Sequence, residues 1–98
     1  MNLPLIVNPE AEADLADAWA WYENQRAGLG DTLIERVDEV LARLRSMPEL
    51  YSPVFHELRV ARVRRFPYIV VYRIDVGQVT VVAVYHTSRN PRGWQSRA

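Results

Sequence analysis

The chain has 98 residues, 49% of them hydrophobic and 10% aromatic, which predicts one globular domain spanning residues 1–98 with a single core. It has no cysteine and only two histidines, which excludes a disulfide framework, thiol catalysis and a thiolate zinc site, so we expect neither a metal nor a cofactor. The net charge of zero conceals a split, because ten of the twelve acidic residues lie in residues 1–50 and eight of the twelve arginines lie in residues 51–98.

The first predicted element is a short strand at Leu5–Val7. No charged segment followed by an apolar run opens the chain, so we expect no signal peptide. No stretch of the sequence approaches the ~20 apolar residues that a membrane-spanning helix needs. We therefore expect a soluble, cytoplasmic protein that does not interact with a membrane.

An amphipathic helix is predicted from Pro9 to about Gln25. Asn8 followed by Pro9 is typical of a helix start, since asparagine can cap the first turn and proline has no N–H to leave unpaired. Apolar residues then recur at helical spacing along one face. They are Ala11, Leu15, Ala18, Trp19 and Tyr22. Trp19 therefore belongs to the predicted core face, whereas Trp21 lies off it.

A second amphipathic helix is predicted after a glycine-containing break at residues 27–30. Asp31 is a suitable cap for this helix, and Met47 followed by Pro48 is expected to end it. Its apolar face consists of Leu33, Val37, Val40, Leu41 and Leu44. The short connection predicts a helical hairpin, and we assign the acidic polar faces of both helices to solvent.

Three β-strands are predicted in the second half, at residues 57–65, 68–75 and 79–85, where β-branched and aromatic residues dominate. The connections between them are short, so the strands form an antiparallel meander. The predicted fold class is therefore α+β, with a short N-terminal strand, a helical hairpin, and a three-stranded antiparallel meander packed on the helices.

The first strand of the meander has an irregular apolar pattern. Its phase shifts between Val60 and Ala61, which predicts a β-bulge at this point. After the shift, Ala61 and Val63 would face the helices, and Arg62 and Arg64 would point outward. The arginines would then form a polar face of the sheet, opposite the face that packs on the helical hairpin.

Several large or charged side chains of the second half have structural interpretations. Trp94 would anchor the C-terminal tail to the domain, and Arg73 would form an ion pair with Asp75 or with an acidic residue of a helix. The alternation and bulk of Tyr68, Tyr72 and Tyr85 favour packing in the core or across strands. A tyrosine that faced outward beside the arginines could instead stack on a nucleobase.

Three segments carry a resemblance to a known family, namely NPEAEADLADAWAWYENQ, RRFPYIVVYRI and VVAVYHTSRNPRGW. With their order and spacing, the chain resembles the RelE/ParE superfamily of bacterial toxins over nearly its whole length. The resemblance implies a type II toxin–antitoxin system, in which a cognate antitoxin binds the toxin and holds it inactive. We expect the toxin to form a homodimer, or a heterotetramer together with the antitoxin. Trp21 and Ile34 are candidates for a dimer or antitoxin patch.

The superfamily divides by target. RelE-like members cleave messenger RNA in the ribosome, whereas ParE-like members poison DNA gyrase. The ending YHTSRNPRGW is similar to the ParE-like pattern, and the chain has no lysine, although RelE-like nucleases usually add lysines to the arginines of their site. The resemblance therefore favours a gyrase inhibitor, with a ribosome-dependent mRNA endoribonuclease as the alternative.

The candidate site residues differ between these two functions. RNA cleavage requires a base, an acid and positive charge at the phosphate, for which His86, Glu57 and Arg65 are the candidates. The sequence leaves open whether Glu57 and His86 lie close together. The candidates for binding the target or the antitoxin are Arg62, Arg64, Arg65, Tyr68, Arg89, Arg92 and Trp94. The clustered arginines favour binding, because they repel one another unless an acidic partner is present.

Overall fold

The computed structural model of the protein describes residues 2–98. In chain order the elements are β1 (Leu5–Val7), α1 (Pro9–Gln25), α2 (Leu29–Ser46), β2 (Pro53–Phe55), β3 (Leu58–Arg62), β4 (Tyr68–Asp75), β5 (Gln78–His86) and α3 (Arg92–Gln95). The predicted α+β architecture is confirmed, and two short elements, β2 and α3, are additional. Within residues 2–98, no helix has the length and apolar character needed to cross a membrane.

The five strands form one sheet in the order β1-β5-β4-β3-β2. The pairs from β2 to β5 are antiparallel, as predicted for the meander. Strand β1 pairs with β5 in parallel, and its three residues cover only Val79 to Val81 of the longer strand. The remaining part of β5, up to His86, is therefore an edge of the sheet.

Helices α1 and α2 pack against one face of the sheet. The predicted apolar face of α2 is confirmed, because Leu33, Val37, Val40 and Leu44 are buried and Leu41 packs against them. On α1 the prediction for Trp19 is wrong, since this side chain is 40% exposed. Only Ala11 and Ala18 of α1 are fully buried. Trp19 lies at the side of the hairpin, where its indole N–H donates a hydrogen bond to Asp31 Oδ1 at 2.9 Å.

The start of α2 also differs from the prediction, because Asp31 lies in the first turn and Gly28 occupies the cap position. Gly28 adopts a left-handed conformation with φ of 88°, which glycine tolerates without strain. The capping group comes from the preceding helix. The Glu23 carboxylate accepts the backbone N–H groups of Gly28, Gly30 and Asp31 at 3.1, 2.8 and 3.3 Å, so one side chain satisfies three amides at the helix N-terminus.

Substitution of Glu23 tests this capping arrangement. We expect Glu23→Ala to lower the free energy of unfolding by about 1–2 kcal/mol, because it removes both the hydrogen-bond acceptor and a negative charge at the helix N-terminus. Urea denaturation measures the change, with Glu35→Ala at an exposed position of α2 as the matched control. Equal denaturation midpoints for the two variants would show that Glu23 does not cap α2.

The predicted bulge in the first meander strand is wrong. Strands β3 and β4 pair without interruption from Arg59, opposite Tyr72, to Arg62, opposite Ile69. One register shift lies between β4 and β5, where Val82 is the extra residue, and another lies in β2, where it pairs with β3. Adjacent apolar residues in β3 arise for a different reason, namely that both faces of the sheet bury apolar side chains.

The sheet face away from α1 and α2 carries a second, smaller core, so the prediction of a polar face is wrong over this area. The core consists of Leu58, Val71, Val82, Ala83, Tyr85 and Trp94. Trp94 is 7% exposed, and its ring meets the edge of Phe55 at 6.2 Å between centroids. The prediction that Trp94 anchors the tail is thus confirmed. A side chain at Gly93 would overlap the Tyr85 hydroxyl, so glycine permits this close packing of α3.

Candidate functional site

The arginines divide into those with polar partners inside the chain and those without. Seven of them donate hydrogen bonds or form ion pairs: Arg36, Arg43, Arg45, Arg59, Arg64, Arg73 and Arg97. In the part of the chain that the structure describes, the other five guanidinium groups have no hydrogen bond or ion pair. These are Arg26, Arg62, Arg65, Arg89 and Arg92. An unpaired arginine keeps its planar set of donors available for an external carboxylate or phosphate.

Four of the unpaired arginines lie at the same end of the sheet. Because β3 and β5 run antiparallel to β4, the residues that follow β3 and β5 and those that precede β4 meet at one edge. Arg62 ends β3, Arg65 lies in the turn before β4, and Arg89 follows β5. Arg26 follows α1 and borders the same groove as Arg65. We call the surface formed by these four residues the arginine end; the fifth, Arg92, is exposed at the start of α3.

Arg64 does not belong to the arginine end, so the prediction that Arg62 and Arg64 share an outward face is wrong. The Arg64 guanidinium reaches α2, where Nε and Nη2 donate to the Glu39 carboxylate at 3.3 and 3.0 Å. The next residue, Arg65, has φ of 72°, a left-handed conformation that is uncommon for residues other than glycine. This turn of the backbone separates two neighbouring arginines, leaving Arg65 unpaired while Arg64 ties the turn to the helix.

Because Arg64 contacts Glu39, we expect Glu39 to make a pH-dependent contribution to the free energy of unfolding. Hydrogen bonding from Arg64, together with the nearby Arg36, lowers the pKa of Glu39. A carboxyl whose pKa is lowered on folding stabilises the fold above its unfolded pKa, and the stabilisation is lost as the pH falls through the folded pKa. We expect Arg64→Ala to raise the pKa of Glu39 in a carboxyl NMR titration. An unchanged titration midpoint would exclude the Arg64 hydrogen bonds in solution.

A groove of about 230 Å³ lies beside the arginine end. Its lining includes Asp14, Asp17, Trp21, Tyr68, His86 and Arg89. Tyr68 is half-buried and meets the edge of the His86 ring at 5.1 Å between centroids, and burial raises the pKa of its phenol. The structure thus brings together three predicted site residues, Tyr68, His86 and Arg89, from β4, from the end of β5 and from the segment that follows.

The contacts of His86 define its tautomer. The backbone N–H of Ser88 donates to His86 Nδ1 at 3.0 Å, and Ser88 Oγ lies 2.8 Å from the same nitrogen. A ring nitrogen that accepts an N–H has no proton of its own, so the neutral ring carries its proton on Nε2. His86 can therefore act as a hydrogen-bond donor through Nε2.

Glu57, the other candidate for proton transfer, lies at the opposite end of the sheet from His86. Tyr68 is opposite His86 at one end of β4, whereas Glu57 precedes β3 at the other end, next to Arg73 and a separate cavity of about 560 Å³. Tyr68 and Arg73 are five positions apart along β4, which corresponds to roughly 17 Å. Arg73 itself forms an ion pair with Asp75 at 3.0 Å, which confirms one of the two partners predicted for it. The structure does not bring Glu57 and His86 together.

Sequence reasoning missed an ion pair between α1 and the end of the chain. Arg97 Nη1 lies 2.6 Å from Asp14 Oδ2, and Arg97 Nη2 lies 3.1 Å from Asp14 Oδ1. The two side chains are only 22% and 11% exposed. They are 83 positions apart in the sequence, so no local spacing indicates the pair, and the acidic residues of α1 were all expected to face solvent.

No cluster of three or more potential metal-ligating side chains occurs within residues 2–98. The groups gathered at this end of the sheet are arginines, aromatic rings and His86. The arginine end presents several unpaired cations beside the Trp21, Tyr68 and His86 rings. Such a surface can bind an acidic protein segment or a phosphate backbone.

Comparisons with known proteins agree with the fold. The family model described as the ParE toxin of the type II toxin-antitoxin system parDE matches residues 5–91. Proteins named Toxin ParE2 from two strains of Mycobacterium tuberculosis are 32% identical over 92 residues, covering 93% of this chain and 88% of each relative.

Two solved structures are also similar. One is a chain of the chromosomal ParDE TA system from P. aeruginosa, with a TM-score of 0.79 at 13% identity, covering 88% of this chain and 97% of that chain. The other is an arginine-to-alanine double mutant of the E. coli toxin RelE in the free state, with a TM-score of 0.73 at 20% identity and coverage of 100% and 95%. At these identities the two structures show a shared fold.

Proposed function

The chain belongs to the ParE toxin family of type II toxin–antitoxin systems, and from this premise we propose that it inhibits bacterial growth by binding DNA gyrase in the cytoplasm. A cognate antitoxin neutralises it by covering Arg62 and Arg65 at the arginine end with an acidic segment. The target-binding surface consists of the arginine end together with Arg92 in the tail, and Trp94, which is buried, supports the tail from beneath. The observation that carries this proposal is the group of five arginines without an ion-pair partner in the described part of the chain.

Four of these arginines place like charges at one end of the sheet. Like charges close together repel one another, and the repulsion is relieved when an acidic surface docks against them. The other seven arginines already have partners that hold helices, turns and the tail in place. Within residues 2–98, the five arginines without such partners, four of them at one end of the sheet, remain available to an external acidic surface.

Two further observations favour binding over RNA cleavage. Glu57 and His86 are separated by roughly the length of β4, so they do not form an acid–base pair. The Nδ1 atom of His86 is already occupied by the Ser88 amide. One observation favours the alternative, a ribosome-dependent mRNA endoribonuclease: the groove gathers His86, Tyr68 and Arg89.

Trp21, which is 57% exposed, and the half-buried Ile34 stay candidates for an antitoxin or homodimer patch.

Growth inhibition by induced toxin variants tests the proposal. We expect the double substitution Arg89→Ala and Arg92→Ala to raise the toxin level needed to stop growth by at least about tenfold, since two unpaired binding groups are lost. His86→Ala is expected to change it by less than about threefold, because its hydrogen bonds are local. Arg45→Ala, which removes an arginine that donates to the Leu3 carbonyl, is the matched control.

The reverse pattern would favour the nuclease. If His86→Ala abolished growth inhibition while the double arginine variant remained fully toxic, the proposed binding surface would be refuted. Primer extension on a message translated in vitro would then be expected to reveal cuts at regular codon positions that require ribosomes. A message that stays intact with the toxic wild-type protein is the result that the gyrase proposal requires.

A further inference from the structure

We infer that Asp14, acting through Arg97, is a positioning residue for the tail, residues 87–98, and holds Arg89 and Arg92 where they can contact the target. The inference rests on the proposed function insofar as the tail carries two of the target-binding arginines. Asp14 itself is not one of the binding residues, because its carboxylate is nearly buried and both of its oxygen atoms are occupied by Arg97.

The Asp14–Arg97 pair joins three parts of the molecule. Asp14 Oδ2 also accepts the backbone N–H of Val84 at 3.0 Å, and Arg97 Nη1 also donates to the Val82 carbonyl at 3.0 Å. Both backbone groups belong to the part of β5 that β1 does not cover. The pair therefore links α1, the open edge of β5 and the tail. It supplies hydrogen bonds to backbone groups on the side of β5 where no strand is paired.

Most hydrogen bonds of the tail are turn contacts within residues 86–98, which do not tie it to the rest of the domain. Helix α3 has only four residues, and a single helical turn is unstable without side-chain packing. Trp94 supplies the packing contact. Among residues 2–98, Asp14–Arg97 is the only ion pair that includes a residue of the tail. Charge-assisted, bidentate contacts of this kind combine strength with a defined orientation, so this pair fixes the last turn of the chain relative to α1.

The Asp14–Arg97 pair also acts on Arg89 and Arg92, through contacts with the Tyr85 ring. The guanidinium carbon of Arg89 lies 4.3 Å from the centre of the Tyr85 ring, and that of Arg97 lies 5.9 Å from it. Gly93 packs against the hydroxyl of the same ring. Release of Arg97 would therefore loosen one side of the Tyr85 contact, and Arg89 and Arg92 would have to be ordered again when the target binds, which lowers the apparent affinity.

Hydrogen exchange and growth inhibition test the two parts of this inference. We expect Asp14→Asn and Arg97→Gln to speed exchange of the Ser96 and Arg97 amides, which donate to Arg92 and Trp94, by at least about tenfold while the α2 amides keep their protection. The same variants should need about tenfold more toxin to stop growth, because the tail must be ordered on binding. Arg97→Lys, which keeps the charge, should recover part of both effects.

The matched control is Arg45→Gln, which removes the hydrogen bond from Arg45 of α2 to the Leu3 carbonyl before β1. It should leave tail exchange and growth inhibition unchanged. The inference is overturned if the tail amides of Asp14→Asn exchange as in the wild type, or if they exchange faster without any loss of growth inhibition. Growth inhibition does not depend on which target is correct, so a wild-type toxin that stops growth without affecting gyrase would refute the proposed function and leave this inference intact.

Discussion

Trp94→Ala is expected to lower the free energy of unfolding by about 3 kcal/mol, near the lower end of the range for a buried tryptophan, and to abolish growth inhibition. Trp94 is 7% exposed and contributes the largest side chain of the second core. Its removal leaves a cavity beside Phe55 and frees α3 from the sheet, so the tail loses the packing that orders Arg92. Urea denaturation measures the first effect, and induced expression measures the second.

A conservative variant distinguishes a disordered tail from an unstable fold as the cause of lost growth inhibition. Trp94→Phe retains an aromatic ring against Phe55 and should keep at least part of both properties. Because Trp94 packs on the face away from α1 and α2, Trp94→Ala should remain folded and should still bind the antitoxin. Full toxicity of a folded Trp94→Ala protein would exclude the tail from the target-binding surface.

Reversing the charges of Arg62 and Arg65 is expected to weaken antitoxin binding by about 100-fold. Both side chains are exposed and unpaired at the arginine end, and their replacement by glutamate turns attraction to an acidic segment into repulsion across the interface. The loss should be larger than for an alanine substitution and should diminish at high salt, because the ions screen both attraction and repulsion. Isothermal titration calorimetry with the co-expressed antitoxin provides the dissociation constants.

Arg65, and not Arg64, is replaced because Arg64 is already paired with Glu39. Arg64→Glu would place a second carboxylate beside Glu39 and would act through the stability of the turn. Arg45→Glu, on the exposed surface near the end of α2, is the matched charge-reversal control. If its effect on the dissociation constant equals that of Arg65→Glu, net charge and not the arginine end determines antitoxin affinity.

The elements with strong local signals were predictable from the sequence. The bounds of α1 and β4 agree with the predictions, because a proline after a capping residue and a run of β-branched and aromatic residues are both clear signals. Strand β2 was not predicted, since its three residues start with Pro53 and pair irregularly with β3 at the edge of the sheet. Such a strand has no alternation long enough to recognise.

The errors in β3 and at the hairpin arise from tertiary context. Alternation identifies the buried side of a strand only when one face of the sheet is solvated; here Val60 packs against the second core and Ala61 against the helices. The cap of α2 was assigned to Asp31 because capping rules consider the nearest polar residue, whereas Glu23 reaches the same amides from the neighbouring helix.

The site was predictable in its residue types but not in its pairing. Sequence reasoning identified the arginine-rich segments, the tail and His86. It could not distinguish Arg64, which binds Glu39, from Arg65, because that difference depends on one left-handed residue in the turn. The pair Asp14–Arg97 depends on the packing of α1 against β5, which brings the first and last parts of the chain together.

Supercoiling of a relaxed plasmid by purified DNA gyrase tests the central claim most directly. The purified wild-type toxin should inhibit supercoiling, a stoichiometric amount of antitoxin should restore it, and the Trp94→Ala protein should have no effect. Supercoiling that proceeds unchanged at toxin concentrations well above those of gyrase, with a protein that still stops growth in cells, would contradict the account and turn attention to ribosome-dependent cleavage of messenger RNA.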